Sequence, residues 1–208
     1  MSGDEAGGGL RERKKRQTYQ AISDAAIALF LAKGFGPVSV AEIAAAAGIS
    51  KPTLFRYFPA KEDLVLHRLA DHEGEAARVV AGRPPGLSPL DALHRHFLAG
   101  LDRYEPVTGV NDEPEVLALH RLLYGTPSLV ARLHTFQGRS ELALAEALGG
   151  GLRGRLAAGQ IIAVQRILAE DSWRRIAAGE SAAHVRPGAA EAAGIAFGQL
   201  KDGLEPNS

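Results

Sequence analysis

The chain has 208 residues, 24 Lys/Arg against 24 Asp/Glu, no cysteine, and a hydrophobic share of 46%. That share excludes a disordered polymer, the length allows a buried core without staples, and the missing thiols exclude disulfides, thiolate catalysis and cysteine-ligated zinc. The zero net charge hides an asymmetry: residues 10–61 carry nine bases against three acids, whereas residues 62–208 hold 15 bases and 19 acids. A basic N-terminal third on an acidic body points to a nucleic-acid-reading end.

The chain starts acidic and glycine-rich, unlike a secretory signal. No apolar run approaches the ~18 residues of a membrane span, so the expected location is the cytoplasm and no membrane partner is expected.

Apolar residues recur at helical spacing almost throughout, without strand alternation, which predicts an all-α fold of about nine helices. Residues 1–10 are expected to be a flexible tail. The first helix is predicted over 12–33, with Ile22, Ala25, Ala26, Leu29 and Phe30 as its stripe and Gly34 as its stop. Ser39 caps the second helix, and Glu42 three residues later completes a capping box. Val40, Ile43, Ala44 and Ala47 form the buried face, Gly48 supplies the turn, and Ile49 plugs the core beneath it. Ser50 caps the third helix, Pro52 is tolerated in its first turn, and Pro59 ends it.

A fourth helix is predicted over 61–81, before the breakers Gly82, Pro84, Pro85 and Gly86. Ser88-Pro89 starts a fifth, with the stripe Leu90, Leu93, Phe97 and Leu101. Pro106 and Gly109 mark a loop, and a sixth helix follows over 114–124. Thr126-Pro127 opens a seventh, the glycines at 149–151 form a loop, and an eighth spans about 155–178. Pro187 leads into the ninth, which ends near Leu204. The predicted organisation is a three-helix helix-turn-helix domain over 11–60 and a larger helical ligand-binding and dimerisation domain over 61–208.

The third helix has an unusual outer face. With Leu54 at 0° and ~100° per residue, Phe58 falls near 40°, inward with Leu54. Pro52, Thr53 and Arg56 fall at about 160–260°, on the opposite side, flanked by Phe55 and Tyr57. Arg can bond guanine bidentately, and a Thr methyl or Pro ring can meet a thymine methyl. Tyr57 and Lys61 suit phosphates, which fix register without reading sequence. The basic run from Arg11 to Arg16 is either a second backbone contact or a merely soluble arm.

The stretch SVAEIAAAAGISKPTLFRYFPAKEDL over residues 39–64 resembles the signature of TetR-family transcription regulators, and the match extends back to about Lys15. The Ser cap, the Ala-Gly turn, the Leu-aromatic-x-Tyr-Phe run and the Lys-Glu-x-Leu step sit in register. The resemblance implies a homodimer of all-helical subunits that binds a palindromic double-stranded operator. It implies a C-terminal domain whose small-molecule effector changes the spacing of the two DNA heads; a ligand-released repressor is the leading expectation, beside an activator or a DNA-binding dimer without an inducer. By position, Lys51, Pro52, Thr53 and Arg56 would face bases, and Ser39, Phe55, Tyr57 and Lys61 would lie near phosphates. Ser50, at the start of the reading helix, joins the DNA-contacting set. Phe55 departs from the pattern: the family commonly has Tyr there, whose hydroxyl bonds a phosphate, and Phe cannot.

The predicted eighth and ninth helices, 155–178 and 187–204, are the candidates for the dimer interface. They carry small residues (Ala157, Ala158, Gly194, Gly198) beside Ile161, Ile162, Phe197 and Leu200. Candidate effector-contacting residues are Phe97, Leu101, Tyr104, Tyr124, Phe136 and Trp173, with His67 or His94 as polar contacts. Plain core is the competing assignment for each.

The seven histidines do not align as metal ligands: His94 and His96 are two apart, His67 and His72 five apart, and no metal or other cofactor is expected. Gly149 to Gly154 matches G-x-G-x-x-G, but no strand precedes it, so it reads as an interhelical loop. A helical enzyme finds no support, since there is no nucleophile elbow, phosphate loop, H-E-x-x-H or carboxylate cluster. An architectural DNA-binder should be broadly basic, and the C-terminal body is acidic. Repressor and activator remain open at this stage.

Overall fold

The computed structural model describes residues 4–204, with side chains described over 13–203. Among the described residues there are ten α-helices, two 3-10 turns and no strand, in two compact units.

The first unit comprises the chain through Asp71 together with Ala118–His134. Its helices are α1 (Asp4–Lys33), α2 (Val40–Ala46), α3 (Lys51–Tyr57) and α4 (Lys61–Leu66). Ile22, Ala26 and Phe30 of the predicted α1 stripe are buried, Ala25 and Leu29 half-buried, and Val38, Ile43, Leu54, Phe58 and Leu64 are buried in the same unit. The buried Ser23 hydroxyl donates to the Leu64 carbonyl at 2.7 Å, which ties α1 to α4 and satisfies both groups.

The second unit comprises His72–Leu117 and the chain from Thr135 onward. It holds α5 (Glu75–Ala81), α6 (Pro89–Asp102), a 3-10 turn at Pro106–Thr108, α9 (Gly151–Ala177) and α10 (Ala182–Leu204). Two helices run from one unit into the other: α7 (Pro114–Tyr124) and α8 (Pro127–Ala147). Leu93 and Leu101 of α6, Leu144 of α8, Ile161 of α9 and Val185, Ala193 and Phe197 of α10 share one apolar core. Gly109 fits between the 3-10 turn and α9, where a Cβ would lie 2.0 Å from the Ala169 carbonyl oxygen.

Four element boundaries differ from the sequence expectation. The helix α1 takes in residues 4–10, which were expected to be a tail; residues 1–3 lie outside the described residues. The helix expected over 61–81 is α4, a 3-10 turn (His67–His72) and α5, because Gly74 takes a left-handed φ of 68° that no α-helix accommodates. The Arg78 guanidinium donates to the Glu73 carbonyl at 2.7 Å, so the break leaves that oxygen satisfied. The glycine loop is shorter than expected: Gly149 and Gly150 make the turn and α9 already starts at Gly151. Finally, α10 begins at Ala182, about a turn before Pro187. Its first turn is held by Asp112, which accepts from the Ala182 amide at 2.8 Å, and by the Ser181 hydroxyl, which accepts from the His184 amide at 3.3 Å.

Candidate nucleic-acid interface

The helix-turn-helix is built from caps and one turn. The Glu42 amide donates to Ser39 Oγ at 3.2 Å and the Ser39 amide to Glu42 Oε2 at 2.9 Å, the reciprocal pair that the Ser-x-x-Glu spacing calls for. The Ser39 amide, and then Lys33 with its ammonium 3.1 Å from Oε1, lower the Glu42 pKa to about 2. Gly48 turns the chain at a φ of 65°, and the Ile49 amide then reaches the Ala44 carbonyl at 2.9 Å. Ser50 Oγ accepts from the Thr53 amide at 3.2 Å and shares a second hydrogen bond with Thr53 Oγ1 at 2.9 Å.

These restraints fix the rotation of α3. Leu54 and Phe58 are buried, while Lys51, Pro52, Phe55 and Arg56 are exposed, Phe55 at 49%. Thr53 and Tyr57 are half-buried. The face that the helical wheel sets opposite Leu54 is therefore the open one. Tyr57 packs edge-on against Tyr19 with centroids 4.8 Å apart, and the Arg56 guanidinium lies 5.7 Å from the Tyr57 ring centroid. Tyr19 also meets Phe58 and stacks on His67, a cluster that gives α1 and α3 a shared aromatic joint. Sequence reasoning missed Tyr19, whose place two turns before the apolar stripe's centre gave no separate signal.

Lys61 points inward. Its ammonium donates to the Phe35 carbonyl, reaches the Gly36 carbonyl at 3.4 Å, and sits 4.4 Å from the Phe35 ring centroid. Desolvation lowers its pKa. Arg13, Lys14, Lys15 and Arg16 are exposed on α1; the Arg11 side chain lies outside the described residues.

The effector-contact candidates do not converge on one place. His67 sits in the first unit, stacked on Tyr19 and edge-on to Phe58, and Tyr124 sits there too, stacked on His120 at 4.3 Å. In the second unit His94 stacks on Phe197 at 4.8 Å and Phe97 meets the same ring at 6.2 Å, with Leu101 buried in that core. The His94 Nε2 is buried with no hydrogen-bond partner, and burial lowers the His94 pKa. Phe136 is 9% exposed and Trp173 half-buried. Tyr104 is 37% exposed, has a φ of 54°, and borders a shallow cleft with Asn111, Asp112 and Glu113. The histidine pairing differs from either spacing considered in the sequence: His72 Nδ1 and His96 Nε2 lie 2.7 and 3.1 Å from the two oxygens of Glu75. Among the described residues no group of three or more His, Cys, Asp or Glu is arranged to hold a metal ion, and no helix is long and apolar enough to cross a membrane.

A family model for bacterial regulatory proteins of the tetR family matches residues 22–67, the segment carrying the core of α1 and the whole of α2, α3 and α4. The chain is 30% identical over 210 residues to the HTH-type transcriptional regulator TcmR of Streptomyces glaucescens, covering 96% of this chain and 88% of that one. Solved structures share the fold. GusR of Salmonella enterica aligns with a TM-score of 0.56 at 21% identity, covering 90% of this chain and 95% of the other. NalD of Pseudomonas aeruginosa, the secondary repressor of the MexAB-OprM multidrug efflux pump, aligns with a TM-score of 0.58 at 19% identity, covering 88% and 97%.

The chain thus belongs to the TetR family of bacterial transcription regulators. It is a DNA-binding regulator rather than an enzyme, with an N-terminal helix-turn-helix and a helical C-terminal domain; regulators of this family act as dimers.

Proposed function

We propose that this protein is a repressor that sits on a palindromic operator as a homodimer and leaves it when a small molecule binds the C-terminal domain. The observation that carries the reading is the open face of α3, where Lys51, Pro52 and Arg56 are exposed while Leu54 and Phe58 anchor the helix. A firmly seated helix whose open face carries Lys51 at its start and Arg56 near its end suits the major groove. Arg56 and Lys51 read bases, with Pro52 and Thr53 against thymine methyls. Ser39, Ser50, Tyr57 and Lys61 lie along the phosphates, and Phe55 packs on sugar where a tyrosine would bond phosphate. The first unit, which takes in α4 beyond the boundary at residue 60 expected from the sequence, carries the reading head, and the second unit is the sensing and dimerising body, in a cytoplasmic setting.

The dimer forms through α9 and α10. Ile167 and Ile195 are 52% and 60% exposed, and a Cβ added at Gly194 or Gly198 would meet nothing within 4 Å. Close helix approach by a second subunit would cover these positions. Ala158, Ile161, Phe197 and Leu200 lie buried in the subunit's own core and take no part. The effector site lies in the second unit, which holds the candidates Phe97, Leu101, Tyr104, Phe136 and Trp173, with His94 as the polar contact.

Selection of binding sites from random DNA by the purified protein, at near-physiological salt, tests this. A palindromic consensus, followed by a compound that releases it, is the expected result. An unpaired half-site, or enrichment that no added compound reverses, would overturn the dimeric, effector-released reading.

A further inference from the structure

One side chain from far along the chain reaches the helix-turn-helix unit. Arg132, on the part of α8 that belongs to that unit, places Nε 2.7 Å from Asp63 Oδ1 and Nη2 3.0 Å from Asp63 Oδ2. Asp63 is also the carboxylate that accepts from the Ala60 amide at 3.1 Å, closing the N-terminus of α4. Two residues before it, Lys61 anchors the turn between α1 and α2. Arg132 therefore grips the junction at which α3 ends and α4 begins.

A second fork of the same kind lies farther along α8, within the other unit. Arg139 places Nε 2.6 Å from Glu73 Oε1 and Nη2 3.1 Å from Glu73 Oε2. Positions 132 and 139 are seven apart, two turns of helix, and so share one face of α8. Asp63 lies before the 3-10 turn and Glu73 directly after it, next to the break at Gly74. Half-exposed ion pairs add little stability on their own. What a bidentate guanidinium–carboxylate pair adds is orientation: Arg132 orients the α4 N-terminus against α8 within the first unit, and Arg139 orients Glu73 against α8 within the second.

We propose that α8 is the element through which the C-terminal unit sets the DNA affinity of the head, with Arg132 and Arg139 as positioning residues that touch no DNA. This rests on the reading that the α3–α4 region meets the operator.

The test starts from the full-length protein and its own selected DNA site. Affinity, salt dependence of affinity and thermal melting are measured for wild type, Arg132→Ala, Asp63→Asn, the double variant and Arg139→Ala. Asn at 63 keeps an acceptor for the Ala60 amide while removing the ion pair. Arg132→Ala and Asp63→Asn should each weaken binding about tenfold, with the salt slope of wild type, and the double variant should be no worse than either. Arg139→Ala should also weaken binding, although its fork lies in the other unit. Additive losses would break the Arg132–Asp63 link. A salt slope shallower by about one in Arg132→Ala would make Arg132 a phosphate contact instead. Lower melting with unchanged affinity would make the forks purely structural, and an effect of Arg132 without one of Arg139 would remove α8 as the coupling element. Failure of wild type to select any site would instead overturn the underlying DNA-reading assignment.

Discussion

The Lys61 ammonium donates to the carbonyl of Phe35, so the first residue of α4 holds the turn between α1 and α2 closed. The Phe30 and Phe35 rings flank the charge, at 5.4 and 4.4 Å from their centroids. An ammonium has three protons, and the Phe35 and Gly36 carbonyls engage at most two of them. Lys61→Ala should therefore have two separable effects. It should lower folding stability by about 1–2 kcal/mol through the lost charge-assisted hydrogen bond and cation–π contact. It should also shallow the salt dependence of DNA binding by about one unit of slope. Melting together with a salt titration checks both, and lowered stability with an unchanged slope would confine Lys61 to the turn.

Arg56 is exposed on the open face of α3 and lies near the Tyr57 ring, which limits the directions its guanidinium can take. If it reads a guanine, Arg56→Ala should cost about 1–3 kcal/mol on the selected site and relax preference at one position of each half-site. Binding to random DNA should change less. Equal losses on both sequences, measured in parallel titrations, would reassign Arg56 to the backbone.

The head was legible in the sequence because its signals are local. Ser39 and Glu42 are three residues apart, Ser50 caps its own helix, and Leu54 and Phe58 repeat at helical spacing, so caps and rotation could be read directly. Contacts between distant residues were not legible. Asp63 and Arg132 are 69 residues apart, and His72 and His96 meet on Glu75 from separate elements. No periodicity records such meetings. The break at Gly74 was hidden because an isolated glycine within an apolar-periodic run is compatible with a helix. The effector site was the least legible part: Phe97 and Leu101 have the apolar character of a pocket lining and of a core alike, and the structure buries both.

Gly109 is required by a close approach in the second unit. At its φ of 77° a Cβ would stand 2.0 Å from the Ala169 oxygen and 2.9 Å from the Ala169 carbonyl carbon, both backbone atoms of α9. Backbone cannot swing aside as a flexible side chain can, so Gly109→Ala must push α9 away from the 3-10 turn. The expected loss is more than about 3 kcal/mol in denaturant unfolding, from backbone strain and displaced packing together. Stability within ~0.5 kcal/mol of wild type would show that the turn and α9 do not pack this closely.

Glu42 should give the helix-turn-helix an acid limb. Its folded pKa is about 2 against an ordinary 4.5, so the unfolded chain binds the proton more tightly than the folded one. The sign follows: the carboxylate's contribution is complete above the ordinary value and is lost as pH falls from about 4.5 toward about 2. Glu42→Gln keeps a side-chain acceptor for the Ser39 amide and removes the titration. In unfolding curves taken across this range, wild type should exceed Glu42→Gln at neutral pH and converge on it in acid. Lys33→Ala should leave at least half of the limb in place, because the Ser39 amide and hydroxyl together lower the Glu42 pKa more than the lysine does. If removing Lys33 flattens the limb as fully as removing the carboxylate, the ion pair rather than the capping box holds Glu42 ionised.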